Sequence, residues 1–93
     1  MKTSKISIQL KTLPNNAGVY KFYNKEGGIL YVGKAKNIKK RVSSYFGPNQ
    51  KNFKTNLLVK QIFKIENIVV ETETDALLLE NNLIKKLKPK YNV

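Results

Sequence analysis

Gly18-Val19-Tyr20-Lys21-Phe22-Tyr23, then Asn24-Lys25-Glu26-Gly27-Gly28, then Ile29-Leu30-Tyr31-Val32-Gly33: this stretch decides the architecture. Its outer parts are β-branched and aromatic, and its middle holds two adjacent glycines. The pattern predicts an antiparallel hairpin closed by the five residues Asn24 to Gly28. Upstream, Leu13-Pro14 and Asn15-Asn16-Ala17 read as the end of a turn-rich lead-in over residues 1–17, so the first regular element is expected near Gly18.

Downstream the period changes. Asn37 can cap a helix whose apolar positions Ile38, Val42, Tyr45 and Phe46 recur at helical spacing, with Gly47-Pro48 as its end. A second helix is expected from about Phe53 to Phe63. Ile65 to Thr72 reads as a third strand, apolar on both faces and so expected to be covered on both. The last helix runs from about Thr74 to Lys88, with Glu73 and Asp75 at its start and Lys85, Lys86 and Lys88 at its end, the charge order that the helix dipole favours. Pro89 stops it. The expected fold is α+β in the order β-β-α-α-β-α, a small, mainly antiparallel three-stranded sheet flanked by three helices. One domain is expected over residues 1–93, with its core in 18–93.

Composition narrows the chemistry. The chain has no Cys and no His, which removes disulfides, thiol nucleophiles, zinc sites built on those ligands and histidine acid–base chemistry. Catalysis must then use Tyr, Lys, Arg and carboxylates. No stretch reaches the roughly 18 consecutive apolar residues of a membrane span, and a cytoplasmic location is expected. The net charge is +12, and four of the six acids, Glu71, Glu73, Asp75 and Glu80, fall between residues 71 and 80. Such a clustered basic field suits a polyanion, most commonly nucleic acid; the alternative is a merely soluble basic surface.

Three places break the expected pattern. On the last helix, Ala76, Leu83, Ile84 and Leu87 share an apolar face and Glu80 projects into it. A carboxylate there must be paired or bind a cation. Either a buried salt bridge or a metal fits, and one carboxylate plus waters suits Mg²⁺. In the hairpin, Tyr20 and Tyr31 read first as packing. A nuclease without histidine, however, needs another proton acceptor, and a phenol can serve if nearby cations favour the phenolate. On the first helix, Arg41 and Tyr45 lie four residues apart. That guanidinium can grip a phosphate, or simply be solvated among Lys36, Lys39 and Lys40.

Gly18-Val19-Tyr20 followed by Tyr31-Val32-Gly33 resembles the paired motif of the GIY-YIG nuclease family. The runs Tyr31 to Val42 and Ala76 to Lys85, with Lys88-Pro89-Lys90-Tyr91-Asn92, are similar to its UvrC branch, a likeness that covers about residues 10 to 93. The resemblance implies a monomeric, metal-dependent DNA endonuclease domain that incises one strand on the 3′ side of a lesion in nucleotide excision repair. It also implies work beside UvrA and UvrB, contacted through regions outside this sequence. By the same resemblance Glu80 would hold one divalent ion, Mg²⁺ or Mn²⁺, and Tyr31 would be the general base with Tyr20 beside it. Arg41, Lys34 and Tyr45 would meet the scissile phosphate or its surroundings. Lys36, Lys39, Lys40 and Asn92 would add DNA contacts, Gly18 would be structural, and Gly33 would let backbone approach the site. Two departures, Ala17 where proline is common and Asn56 where a basic residue is common, leave that chemistry untouched. A freestanding structure-selective nuclease, and a non-catalytic module whose five tyrosines stack on bases, are the competing readings.

Overall fold

The computed structural model describes residues 2–48 and 51–92, with side chains from residue 6 onward. In chain order the elements are α1 (Lys2–Lys11), β1 (Gly18–Tyr23), β2 (Ile29–Ala35), α2 (Ile38–Tyr45), α3 (Phe53–Gln61), β3 (Lys64–Val69) and α4 (Glu73–Leu87). The strands form one antiparallel sheet in the order β2-β1-β3, so β1 is central. This is the expected α+β sheet with one helix more than expected.

Strand alternation sorts β1 between two cores. Tyr20 and Phe22 face Ile38, Val42, Leu58 and Ile62, while Val19 packs with Val32 and Ala76 beneath α4. Phe22 is fully buried, which contributes roughly 1.5–3 kcal/mol before entropy is counted. In β2 the alternation is interrupted: Phe22 pairs with Tyr31 and Tyr23 with Ile29, leaving Leu30 as an extra residue. A one-residue slip moves every later side chain to the other face. Leu30 and Tyr31 therefore both reach the Tyr20 side, and Val32 turns to α4. The bulge is what brings Tyr31 to Tyr20.

Two expectations need correction. Residues 2–11 are not a turn-rich lead-in but α1, which packs on α2 and β3 and buries Ile6. The third strand is not covered on both faces. It lies at the sheet edge, and Ile68 and Val69 are 37% and 49% exposed. An edge strand offers unpaired N–H groups, and here Gln9 Oε1 on α1 accepts from Ile65 N at 2.7 Å.

The helix ends follow the sequence closely. Asn37, Asn52 and Thr72 cap α2, α3 and α4 by accepting from the backbone N–H of Lys40, Thr55 and Asp75. The loop before β1 helps at α2, where Asn16 O and Pro14 O accept from Ile38 N and Lys39 N at 2.9 and 3.0 Å. Lys88 ends α4 in the left-handed conformation at φ 46°. Gly18 is required by close approach, because a Cβ there would strike the Ile68 carbonyl oxygen. No helix among the described residues is long and apolar enough to cross a membrane.

Candidate active site

β2 has a free edge, and what covers it defines the site. The outward-facing groups at alternate residues meet three different partners. Leu30 O accepts from Tyr91 N at 2.8 Å. Asn92 clamps Val32 from both sides, its Oδ1 accepting from Val32 N and its Nδ2 donating to Val32 O, each at 2.8 Å. Lys34 N donates to Glu80 Oε2 at 3.1 Å. Glu80 thus reaches across from α4 to the next position along the edge that Asn92 grips, about 7 Å away.

The carboxylate of Glu80 is half-buried, and among the described residues no lysine or arginine pairs with it. The salt-bridge alternative is therefore overturned. No cluster of three His, Cys, Asp or Glu exists among the described residues either. An ion here would rest on one carboxylate, with waters completing its shell. That donor set fits Mg²⁺, which dehydrates reluctantly.

On the other side of β2 stands a cluster of rings. Tyr20, Phe22, Tyr31 and Tyr45 lie with centroids 5.1–6.4 Å apart. The hydroxyls of Tyr20 and Tyr45 share a hydrogen bond of 2.8 Å. Arg41 lies over the Tyr45 ring at 5.4 Å and beside the Tyr20 hydroxyl, a contact that raises its own pKa. Gly33 sits under the Tyr20 ring, where any Cβ would strike the phenol carbon and oxygen. The glycine thus lets the backbone of β2 lie against the Tyr20 phenol.

Burial dominates the phenols. Tyr31 is pushed up to about 12, by loss of solvent first and then by Tyr45 and Glu80, with Arg41 only partly opposing. Tyr20 is raised further still, again chiefly by burial. The chain's own cations do not meet the condition set for a phenolate: Arg41 is outweighed by burial, and without a metal both phenols stay protonated at neutral pH.

The profile of the UvrC-like GIY-YIG domain matches residues 16–93. The chain belongs to that family. It is 63% identical over 93 residues to the UvrABC system protein C of Flavobacterium psychrophilum and equally to that of Flavobacterium johnsoniae, covering all of this chain and 16% of either relative. The chain thus spans about one sixth of the relatives' length. It also resembles the crystal structure of the GIY-YIG N-terminal endonuclease domain of UvrC from Thermotoga maritima bound to its catalytic divalent cation, magnesium. That likeness has a TM-score of 0.84 at 43% identity, over 96% of this chain and 97% of that one. Variants of that domain, with phenylalanine for one of three tyrosines or alanine for an asparagine, were solved with the cation bound.

In this GIY-YIG endonuclease domain the residues singled out from sequence separate into groups. Tyr20, Tyr31 and Tyr45 are in mutual contact, Arg41 touches Tyr20 and Tyr45, and the charge of Glu80, held across β2, is felt at Tyr31. Lys34, Lys36 and Lys40 line a cavity with Arg41 and Glu73 between α2 and α4. Two residues expected at the DNA are placed otherwise. The amine of Lys39 turns to the Lys11 carbonyl at the end of α1, 3.3 Å away. Asn92 holds the β2 edge. Nothing in the residue pattern points to a second cleft beside Tyr31, walled by Ser44, Lys51, Asn52, Lys54, Thr55 and Tyr91. Its residues come from α2, the two residues before α3, α3 itself and the tail, and each alone is an ordinary surface polar group.

Two outcomes follow for this UvrC-like domain. Asn92→Ala removes both bonds to Val32 between Tyr31 and Gly33, and is expected to lower stability by about 1–3 kcal/mol. Thermal melting checks this, and metal-dependent cleavage is expected to fall with it. Alkaline unfolding tests the phenols. Below pH 10 they are protonated in both states. As pH rises from about 10 to 12, Tyr31 ionises in the unfolded chain before it does in the fold, so stability is lost across that window. A pH series of melts on metal-free protein should show the loss, and the Tyr20→Phe, Tyr31→Phe double variant should show less of it.

Proposed function

We propose that this domain hydrolyses one DNA phosphodiester in a divalent-metal-dependent reaction, as the nuclease that makes the 3′ incision of nucleotide excision repair. The observation that carries this reading is the Glu80 carboxylate, free of any cationic side chain among the described residues, fixed by Lys34 N and near enough to the Tyr31 phenol to raise its pKa. In a chain of net charge +12, a half-buried carboxylate left without a basic partner points to a cation from solution.

Glu80 would hold one Mg²⁺ or Mn²⁺, which when bound supplies neutralisation of the charge growing on the leaving oxygen. Arg41 would grip the non-bridging oxygens, its guanidinium already steadied by the Tyr45 ring and the Tyr20 hydroxyl. Tyr31 would take the proton of the attacking water at its phenol oxygen. Tyr20 and Tyr45, tied to each other by their hydrogen bond, pack tilted against that ring and hold it in place. Lys34, Lys36 and Lys40 would guide the backbone of the strand. The protein works in the cytoplasm, as a monomeric domain that meets lesion-bearing DNA presented by UvrA and UvrB.

The test is a duplex with one lesion, labelled at either end, incubated with UvrA, UvrB, Mg²⁺ and the protein. A single cut on the 3′ side of the lesion is expected. Cutting of branched DNA without UvrA or UvrB would favour a freestanding structure-selective enzyme. Steeply salt-dependent binding with no scission under any metal would favour a non-catalytic module.

A further inference from the structure

We propose that the cleft between Arg41 and the start of α3 is a second phosphate subsite, in which Lys51 and Lys54 hold the backbone phosphate next to the one gripped by Arg41. The inference rests on the nuclease reading for its substrate class and adds where the strand runs. The cleft encloses about 530 Å³, within the size range of pockets that take a whole small ligand. One wall is Tyr31, Arg41, Ser44 and Tyr45, and the other is Lys51, Asn52, Lys54 and Thr55.

The charge of this cleft is one-sided. Three cations line it, Arg41, Lys51 and Lys54, and none of the chain's six acids does. The cavity on the opposite flank of Arg41 contains Glu73. Of the two cavities flanking Arg41, the one on the α3 side is thus lined by cationic side chains without a carboxylate side chain, the better path for a strand leaving the Arg41 phosphate. The wall is also fixed in place. Lys51 donates to the Gly47 carbonyl at 2.9 Å, Asn52 caps Thr55 N at 2.8 Å, and Leu58 is buried behind them. Ser44, Thr55 and Tyr91 complete a polar lining, with the Ser44 hydroxyl donating to Arg41 O and the Tyr91 hydroxyl accepting from Gln61, a surface suited to a phosphodiester and sugar and not to a protein segment.

The test measures binding without metal, so that cutting plays no part. A single-stranded oligonucleotide carries one uncharged methylphosphonate linkage, moved one position at a time along the strand, and its affinity is measured for wild type, Arg41→Ala, Lys54→Ala, the Lys51→Ala, Lys54→Ala double variant and Lys25→Ala. Lys25, in the hairpin turn, controls for general loss of charge. Neutralising one linkage should weaken wild type severalfold yet leave Lys54→Ala unaffected, and the linkage that behaves so with Arg41→Ala should be its immediate neighbour. The dependence of log affinity on log salt should fall by about 0.7 for each lysine removed. The proposal is overturned if no linkage couples to Lys54, if Lys25→Ala couples equally, or if the Arg41 and Lys54 linkages lie far apart. Should wild type fail to cut the lesion-bearing duplex with UvrA, UvrB and Mg²⁺ while the neighbouring couplings persist, the nuclease reading falls and the subsite stands.

Discussion

Glu80→Gln is expected to reduce metal-dependent strand cleavage roughly a thousandfold, the scale of losing several kcal/mol of transition-state stabilisation from a bound cation. The choice of glutamine isolates the charge. Its amide oxygen can still accept from Lys34 N, so the edge of β2 keeps its partner and the fold should lose no more than about 0.5 kcal/mol. Single-turnover cleavage across a Mg²⁺ titration, with a thermal melt of the same samples, separates the two effects. A variant that melts like wild type and cuts within a few-fold of it would remove Glu80 from the reaction.

The second large effect is expected at Tyr31. Tyr31→Phe keeps the ring contacts with Tyr20, Phe22 and Tyr45 and deletes only the oxygen. If that oxygen is the proton acceptor, the rate should drop by roughly 10²–10⁴ while DNA affinity is retained. The pH profile sharpens the test. With its pKa pushed up to about 12 in the metal-free protein, Tyr31 is a base only in its small deprotonated fraction near neutrality. The wild-type rate should therefore climb with pH, and the variant's much less. Parallel profiles would leave Tyr31 as a residue that orients water without taking its proton.

How much of this was legible beforehand differs by residue, for physical reasons. The hairpin, the Asn37 cap and α4 are written locally: strand-forming residues around two glycines, a capping side chain before an apolar period, and acids followed by lysines. Helix α1 was not. Ile6, Ile8 and Leu10 alternate like a strand, Ile8 is 64% exposed, and the helix gains its hold from packing on α2 and from Gln9 at the β3 edge. The reading of β3 failed because apolar content cannot tell a covered strand from an edge one.

The site divides the same way. Helical spacing alone singled out Glu80, but the partner that fixes it is a backbone N–H 46 residues away. Tyr31 faces Tyr20 because of the bulge at Leu30, which depends on how two strands register and leaves no mark in residue types. Asn92 lies 60 residues from Val32, so its clamp appears only in three dimensions. The basic wall of the second cleft is hidden for another reason: Lys51 and Lys54 are two lysines in a chain with 18 basic residues.

The most direct test of the assignment is the position of the metal itself. Crystals of the domain soaked in Mn²⁺ should show one anomalous-scattering peak about 2.1 Å from a Glu80 carboxylate oxygen, with waters at most other positions and Tyr31 and Arg41 facing it. An ion held instead by Glu73 and Asp75 at the start of α4, with none at Glu80 under conditions that support cleavage, would contradict it.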